Sequence, residues 1–126
     1  GTVVSGCAGQ SALAMAPMEG MPHEVQTAPT LVREAYQFAV ANPEVMTQIP
    51  CYCGCGAMGH TSNYACYVSA VAADGAISFD THALGFSICV DITQYTMILL
   101  KEVKSIPEIS AAIDSTYSQY GPSNMP

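Results

Sequence analysis

Beyond the first quarter of the chain, apolar residues recur at helical intervals. Val32, Tyr36, Ala39 and Val40 share one face of a helix that begins after Pro29. The pattern stops at Asn42-Pro43, because proline disfavours helical backbone in the residue before it. This spacing predicts a first helix over about 30–41. Asn42 can cap a short second helix, with Pro43 in its first position and Val45, Met46 and Ile49 as its apolar side, ending at Pro50. A brief helix is expected from Asn63 to Val68, capped by Thr61 or Ser62, and Ala73-Asp74-Gly75-Ala76 reads as a turn. The longest helix is expected to open at Asp80 or Thr81 and run to about Val103. Its apolar stripe is Leu84, Ile88, Ile92, Tyr95 and Leu99. Ser105 and Glu108 stand at capping-box spacing, Pro107 lies in the first turn, and Ile109, Ile113 and Tyr117 line a last helix that Gly121-Pro122 stops. Residues 1–28 follow neither a helical nor a strand period and are rich in Ala, Gly, Met and Pro, so they read as an extended N-terminal arm or linker. The pattern predicts an all-α fold: a small domain of four to five helices over 29–126, with an irregular cysteine-rich loop, preceded by that arm.

Composition changes this picture in two ways. At 126 residues the chain has material for one modest core. Half of its residues are hydrophobic and only 10% are charged, against a usual charged share of about 25%. A surface this neutral either hides part of itself in an assembly or stays soluble through Gly, Ser, Thr and Asn. Arg33, Lys101 and Lys104 are the only fixed cations, and the formal charge is −7. They cannot neutralise a row of phosphates, which argues against a nucleic-acid partner. No stretch reaches the roughly 18 apolar residues of a membrane span. The second change is chemical. Six cysteines, at positions 7, 51, 53, 55, 66 and 89, form either a disulfide framework or a metal site.

The spacing of these cysteines favours metal. Pro50-Cys51-Tyr52-Cys53-Gly54-Cys55-Gly56 carries three thiols at every second residue. In extended or turning backbone, side chains two apart point the same way, so three sulfurs can converge. Glycines at 54, 56 and 59 let the chain wrap around what they hold. A disulfide across a one-residue spacer is strained. Single zinc sites prefer longer spacers, whereas C-x-C repeats suit clusters whose sulfurs bridge two ions, so copper as Cu(I), in a centre of one or more ions, is favoured over zinc. His60, Cys66, His82 and Cys89 complete the expected ligand set. His82 and Cys89 are seven residues apart, which would put them on one face of the long helix.

The arm carries its own features. Met15, Met18, Met21 and then His23 resemble the Met-x-x-Met copper motifs of exported bacterial proteins, the alternative being a flexible Ala/Met/Pro linker. Val3-Val4-Ser5-Gly6-Cys7-Ala8 resembles a bacterial lipobox, so the chain reads as extracytoplasmic, with Cys7 lipid-anchored, a thiol or paired.

Pro50 to Cys55, Gly59-His60-x-Ser62-Asn63-x-x-Cys66-Tyr67-Val68, Asp80-x-His82, Cys89-Val90-Asp91-Ile92, Ile109-x-x-x-Ile113-Asp114-x-x-Tyr117 and Met125-Pro126 together resemble the bacterial PCYCGC-motif lipoprotein family. The resemblance covers about residues 31 to 126. It implies an exported, small, helical, cysteine-rich domain that binds copper or a related thiophilic metal. One departure stands out: Phe86 occupies the place, three residues before Cys89, where the family pattern has a further cysteine. Fewer metal ions are therefore expected, or a replacement ligand from His82, His60 or Cys7.

The leading functional expectation is a non-enzymatic, exported metal-binding protein. Cys51, Cys53, Cys55, Cys66 and Cys89, with His60, His82 or both, would hold a copper–thiolate centre for copper handling or electron transfer. Ligation should also support folding, so much of the order should depend on metal. A rival reading is a self-assembling extracellular filament or coat subunit, whose arm reaches a second copy of the chain. A third makes the cysteines ordinary disulfides. Three thiols in five residues argue for shared ligation rather than one activated nucleophile, and no carboxylate pair or phosphate-cradling loop accompanies them, so no enzyme is expected.

Overall fold

The computed structural model describes residues 13–52 and 61–125. Cys7, Cys53, Cys55 and His60 lie outside the described residues. The elements run α1 His23–Gln26, α2 Thr30–Ala41, α3 Pro43–Met46, a 3-10 turn Asn63–Cys66, β1 Val68–Val71, β2 Ile77–Phe79, α4 His82–Gly85, α5 Ser87–Lys101, α6 Ile106–Tyr117 and a closing 3-10 turn Ser118–Tyr120. The fold is largely helical but not all-α, because a two-stranded antiparallel sheet joins the helices.

Helix α5 is the axis, packed against α2 and α6. Its buried side chains include Ile92, and they meet Tyr36 and Phe38 of α2 and Ile109 and Ile113 of α6, all fully buried, in one continuous core. Helix α2 occupies the span its flanking prolines predict. Helix α6 opens with the expected reciprocal cap: the Glu108 backbone N–H donates to Ser105 Oγ at 3.3 Å, and the Ser105 N–H donates to Glu108 Oε1 at 2.8 Å. That bond holds the Glu108 carboxyl below its ordinary range.

Four expectations need correction. The brief helix over 63–68 is a shorter 3-10 turn, and the chain then enters a hairpin. Val68 pairs with Phe79 and Val71 with Ile77, with a bulge between Val68 and Ala70. The turn at 73–76 joins the two strands; Gly75, at φ +91°, supplies the left-handed residue such hairpin loops need. The long helix is broken as well. Phe86 is extended, at φ −131° and ψ 99°, and separates the single turn α4 from α5. Gly85, a poor helix former, ends that turn. Asp80 holds its start, accepting the His82 backbone N–H on Oδ1 at 2.7 Å. In α3, Asn42 does not cap. Its side-chain amide instead donates to the carbonyls of Ala14 and Phe38, both at 2.9 Å.

The fourth correction concerns the arm. Residues 13–28 lie on the body of the domain rather than forming a linker. Ala16 exchanges backbone and side-chain hydrogen bonds with Gln37, and Met21, Val25 and Ala28 are buried. The reach toward another copy that the assembly reading requires is, for these residues, contact with their own chain. The methionine run is also divided: Met21 is in the core, whereas Met15 and His23 are exposed. Among the described residues no helix is long and apolar enough to cross a membrane.

Burial and hydrogen bonding set the tyrosines apart. Burial raises Tyr67 well above the usual phenol range, and burial followed by the Asp80 charge raises Tyr36. Tyr52 is pushed up to about 12, first by burial and then by the Asp114 carboxylate that accepts its hydroxyl. A phenol whose folded pKa exceeds its unfolded value of about 10 contributes stability that is complete below that value and lost as pH rises through the folded one. For Tyr52 the loss therefore falls between about pH 10 and 12. An alkaline titration followed by phenolate absorbance should show these three tyrosines ionising late, together with unfolding. Normal titration of all seven would contradict this packing.

Candidate metal centre

Three separate segments each bring one cysteine to the same point. Cys51 follows the buried pair Ile49 and Pro50 after α3, Cys66 ends the 3-10 turn, and Cys89 lies in the first turn of α5. All three are fully buried. Their sulfurs form a triangle with Sγ–Sγ distances of 3.3 Å for Cys89–Cys66, 3.4 Å for Cys51–Cys89 and 3.7 Å for Cys66–Cys51. These separations far exceed the roughly 2.05 Å of an S–S bond. The three are the metal-competent group among the described residues.

The triangle has the size a metal requires. Its sides place one point about 2.0 Å from every sulfur, while metal–thiolate bonds are about 2.3 Å. A thiophilic ion would be held by Cys51, Cys66 and Cys89 together. The connection between Tyr52 and Thr61, whose ends adjoin this centre in sequence, carries Cys53, Cys55 and His60, all outside the described residues. Sulfur donors alone are a soft set, suited to thiophilic ions. The positive end of the α5 dipole, beside Cys89, favours an anionic ligand.

His82 is not part of this group. The break at Phe86 removes the shared helical face on which its role rested, and its ring stacks on Phe86 with centroids 4.3 Å apart and planes 15° apart. Phe86, in the place where the family pattern has a further cysteine, is 45% exposed.

Polar side chains hold the sulfurs in place; Tyr52, Asn63 and Asp114 among them stand in the motifs quoted above, whereas Thr93 and Asn124 do not. The backbone of Cys51 is clasped from the far end of the chain: its N–H donates to Asn124 Oδ1 at 2.8 Å, and the Asn124 N–H donates to its carbonyl at 3.0 Å. The next residue, Tyr52, donates its hydroxyl to Asp114 of α6. Asn63 and Thr93 are fully buried beside Cys66 and Cys89. Thr93 had a sequence signal: it lies one turn after Cys89, on the same face, where a threonine can bond back to the carbonyl four residues earlier. Asn124 had none.

A small, largely helical domain whose buried thiols converge from distant segments is, as a class, a cysteine-cluster protein able to hold a metal ion. The family model described as "Protein of unknown function with PCYCGC motif" matches residues 9–126, so the chain belongs to that family. No curated protein and no solved structure matches the chain.

Proposed function

We propose that this protein is an extracytoplasmic, non-enzymatic copper protein that holds Cu(I) on Cys51, Cys66 and Cys89, with Cys53, Cys55 and His60 of the adjoining segment as further donors, for copper handling or electron transfer. The observation that carries this reading is the closed triangle of buried sulfurs drawn from three segments. Thiolates are soft and select Cu(I) when no harder donor dominates the set. The three sulfurs are fully buried, which favours retention of an ion over catalysis on a substrate. Export is supported by the lipobox-like Val3 to Ala8.

The test is anaerobic titration of the reduced chain with Cu(I) and, separately, with Zn(II), followed by elemental analysis and thiolate-to-metal absorbance. Tight Cu(I) binding, with zinc displaced by copper, is the expected result. A chain that retains neither ion, with its thiols consumed in disulfides, would end this reading.

A further inference from the structure

The three cysteine-bearing segments are not held together by their sulfurs alone. Asn63, fully buried in the 3-10 turn that ends at Cys66, touches both of the others. Its backbone N–H donates to the Ile49 carbonyl at 2.7 Å, two residues before Cys51. Its side-chain Nδ2 reaches the Cys89 carbonyl at 3.4 Å, and its Oδ1 accepts the Thr93 hydroxyl at 2.7 Å. The Tyr67 hydroxyl lies 2.6 Å from Thr93 Oγ1 and 3.0 Å from the Cys89 carbonyl. The shortest contacts use each hydroxyl hydrogen once: Tyr67 donates to Thr93, Thr93 to Asn63, and Asn63 to the carbonyl of Cys89. Tyr67, Thr93 and Asn63 are fully buried, so no water is at hand to replace a lost partner.

We propose that Asn63 is the positioning residue of the sulfur triangle, and that Thr93 and Tyr67 set its side chain so that Cys51, Cys66 and Cys89 stay converged before any ion arrives. The proposal deepens the copper reading and rests on it. A purely structural asparagine at a helix start would need one bond; this one uses its backbone N–H and both ends of its amide, and these bonds run to the two other ligand-bearing segments. Its effect on the ion passes through the backbone of Cys89 and the seating of Cys66. Outer hydrogen-bond partners of metal ligands act in this way, and their loss costs roughly ten- to a hundredfold in affinity.

Thr93→Val keeps the shape and removes the hydroxyl, whereas Thr93→Ser restores it. Tyr67→Phe removes the head of the chain of bonds, and Asn63→Ala removes its centre. Expected for Thr93→Val and Tyr67→Phe is Cu(I) affinity weakened by roughly ten- to a hundredfold. The thiolate-to-copper band should shift while far-ultraviolet circular dichroism is unchanged, and Thr93→Ser should recover both affinity and band. If Asn63→Ala does not fold, the Thr93 and Tyr67 variants decide the matter. Binding and band equal to the unsubstituted chain in both would overturn the proposal. The metal-free chain supplies a separate readout, the rate at which its thiols react with an aromatic disulfide reagent. That rate should rise in Thr93→Val and not in Thr93→Ser; equal rates would count against positioning. Failure of the unsubstituted chain to bind copper would end the copper reading, and the thiol rates would still decide whether Asn63 organises the cluster.

Discussion

Replacing Cys89 by serine is expected to lower Cu(I) affinity on the order of a few hundredfold, and Cys66→Ser and Cys51→Ser should do the same. Structural zinc sites in small peptides, taken here as the scale for a thiolate centre, bind with apparent free energies of about 10–16 kcal/mol. One donor among three or four then carries about 3–4 kcal/mol, which is the factor given. Serine supplies an oxygen that stays protonated and is too hard for Cu(I). It also leaves a buried hydroxyl where a polarisable sulfur had two sulfur neighbours at 3.3 and 3.4 Å. The control is His82→Ala. With its ring stacked on Phe86 rather than grouped with the sulfurs, its loss should leave affinity within about twofold. Competition against a chelator of known copper affinity measures all four variants. A His82 effect as large as that of Cys89 would show that this stack opens and that the histidine joins the centre on loading.

Removing the ion should cost the protein about 4 kcal/mol of stability when free copper had stood at a thousand times its dissociation constant. For a domain of this length that is a fall in melting temperature of roughly 10–20 °C. The loss should be local first. Ile49, Cys51 and Cys66 belong to segments tied together at the sulfur triangle, whereas Phe38, Ile109 and Ile113 are packed among the helices themselves. Hydrogen exchange on stripped protein should therefore speed up around residues 47–52 and 62–68 while α2, α5 and α6 remain protected. Loss of the whole helical signal on stripping would instead mean that ligation carries the fold, as the small size of the core implies.

Some elements were legible because their determinants are local. Pro29 and Asn42-Pro43 delimit α2, and the Ser105–Glu108 pair starts α6; each is a matter of neighbouring backbone sterics or of donors within one turn. The hairpin was hidden because its strands are four and three residues long, too short to show a period, and lie in an alanine-rich stretch. The continuous helix from residue 80 onward failed at Phe86, where the apolar period runs on although the backbone turns extended. The apolar stripe along α5 contains no polar position. It missed Thr93 and Thr96, which are fully buried with their hydroxyls bonded within the molecule. Met21 and Val25 lacked a pattern because the segment around them is too short and irregular to show one, yet both are buried.

The sequence by itself determined the kind of chemistry, since clustered sulfur donors and a near absence of fixed cations are properties of composition and spacing. It also determined where α2 and α6 begin, since helix limits depend on residues a few positions apart. Only the tertiary structure decided that Cys51, Cys66 and Cys89 meet, that the His82 ring stacks on Phe86, and that Asn63, Thr93 and Asn124 hold the meeting point. The contacts between segments join residues 14 to 73 positions apart. They arise from how α3, the Asn63–Cys66 turn and α5 pack, and no local pattern encodes a distance of that kind.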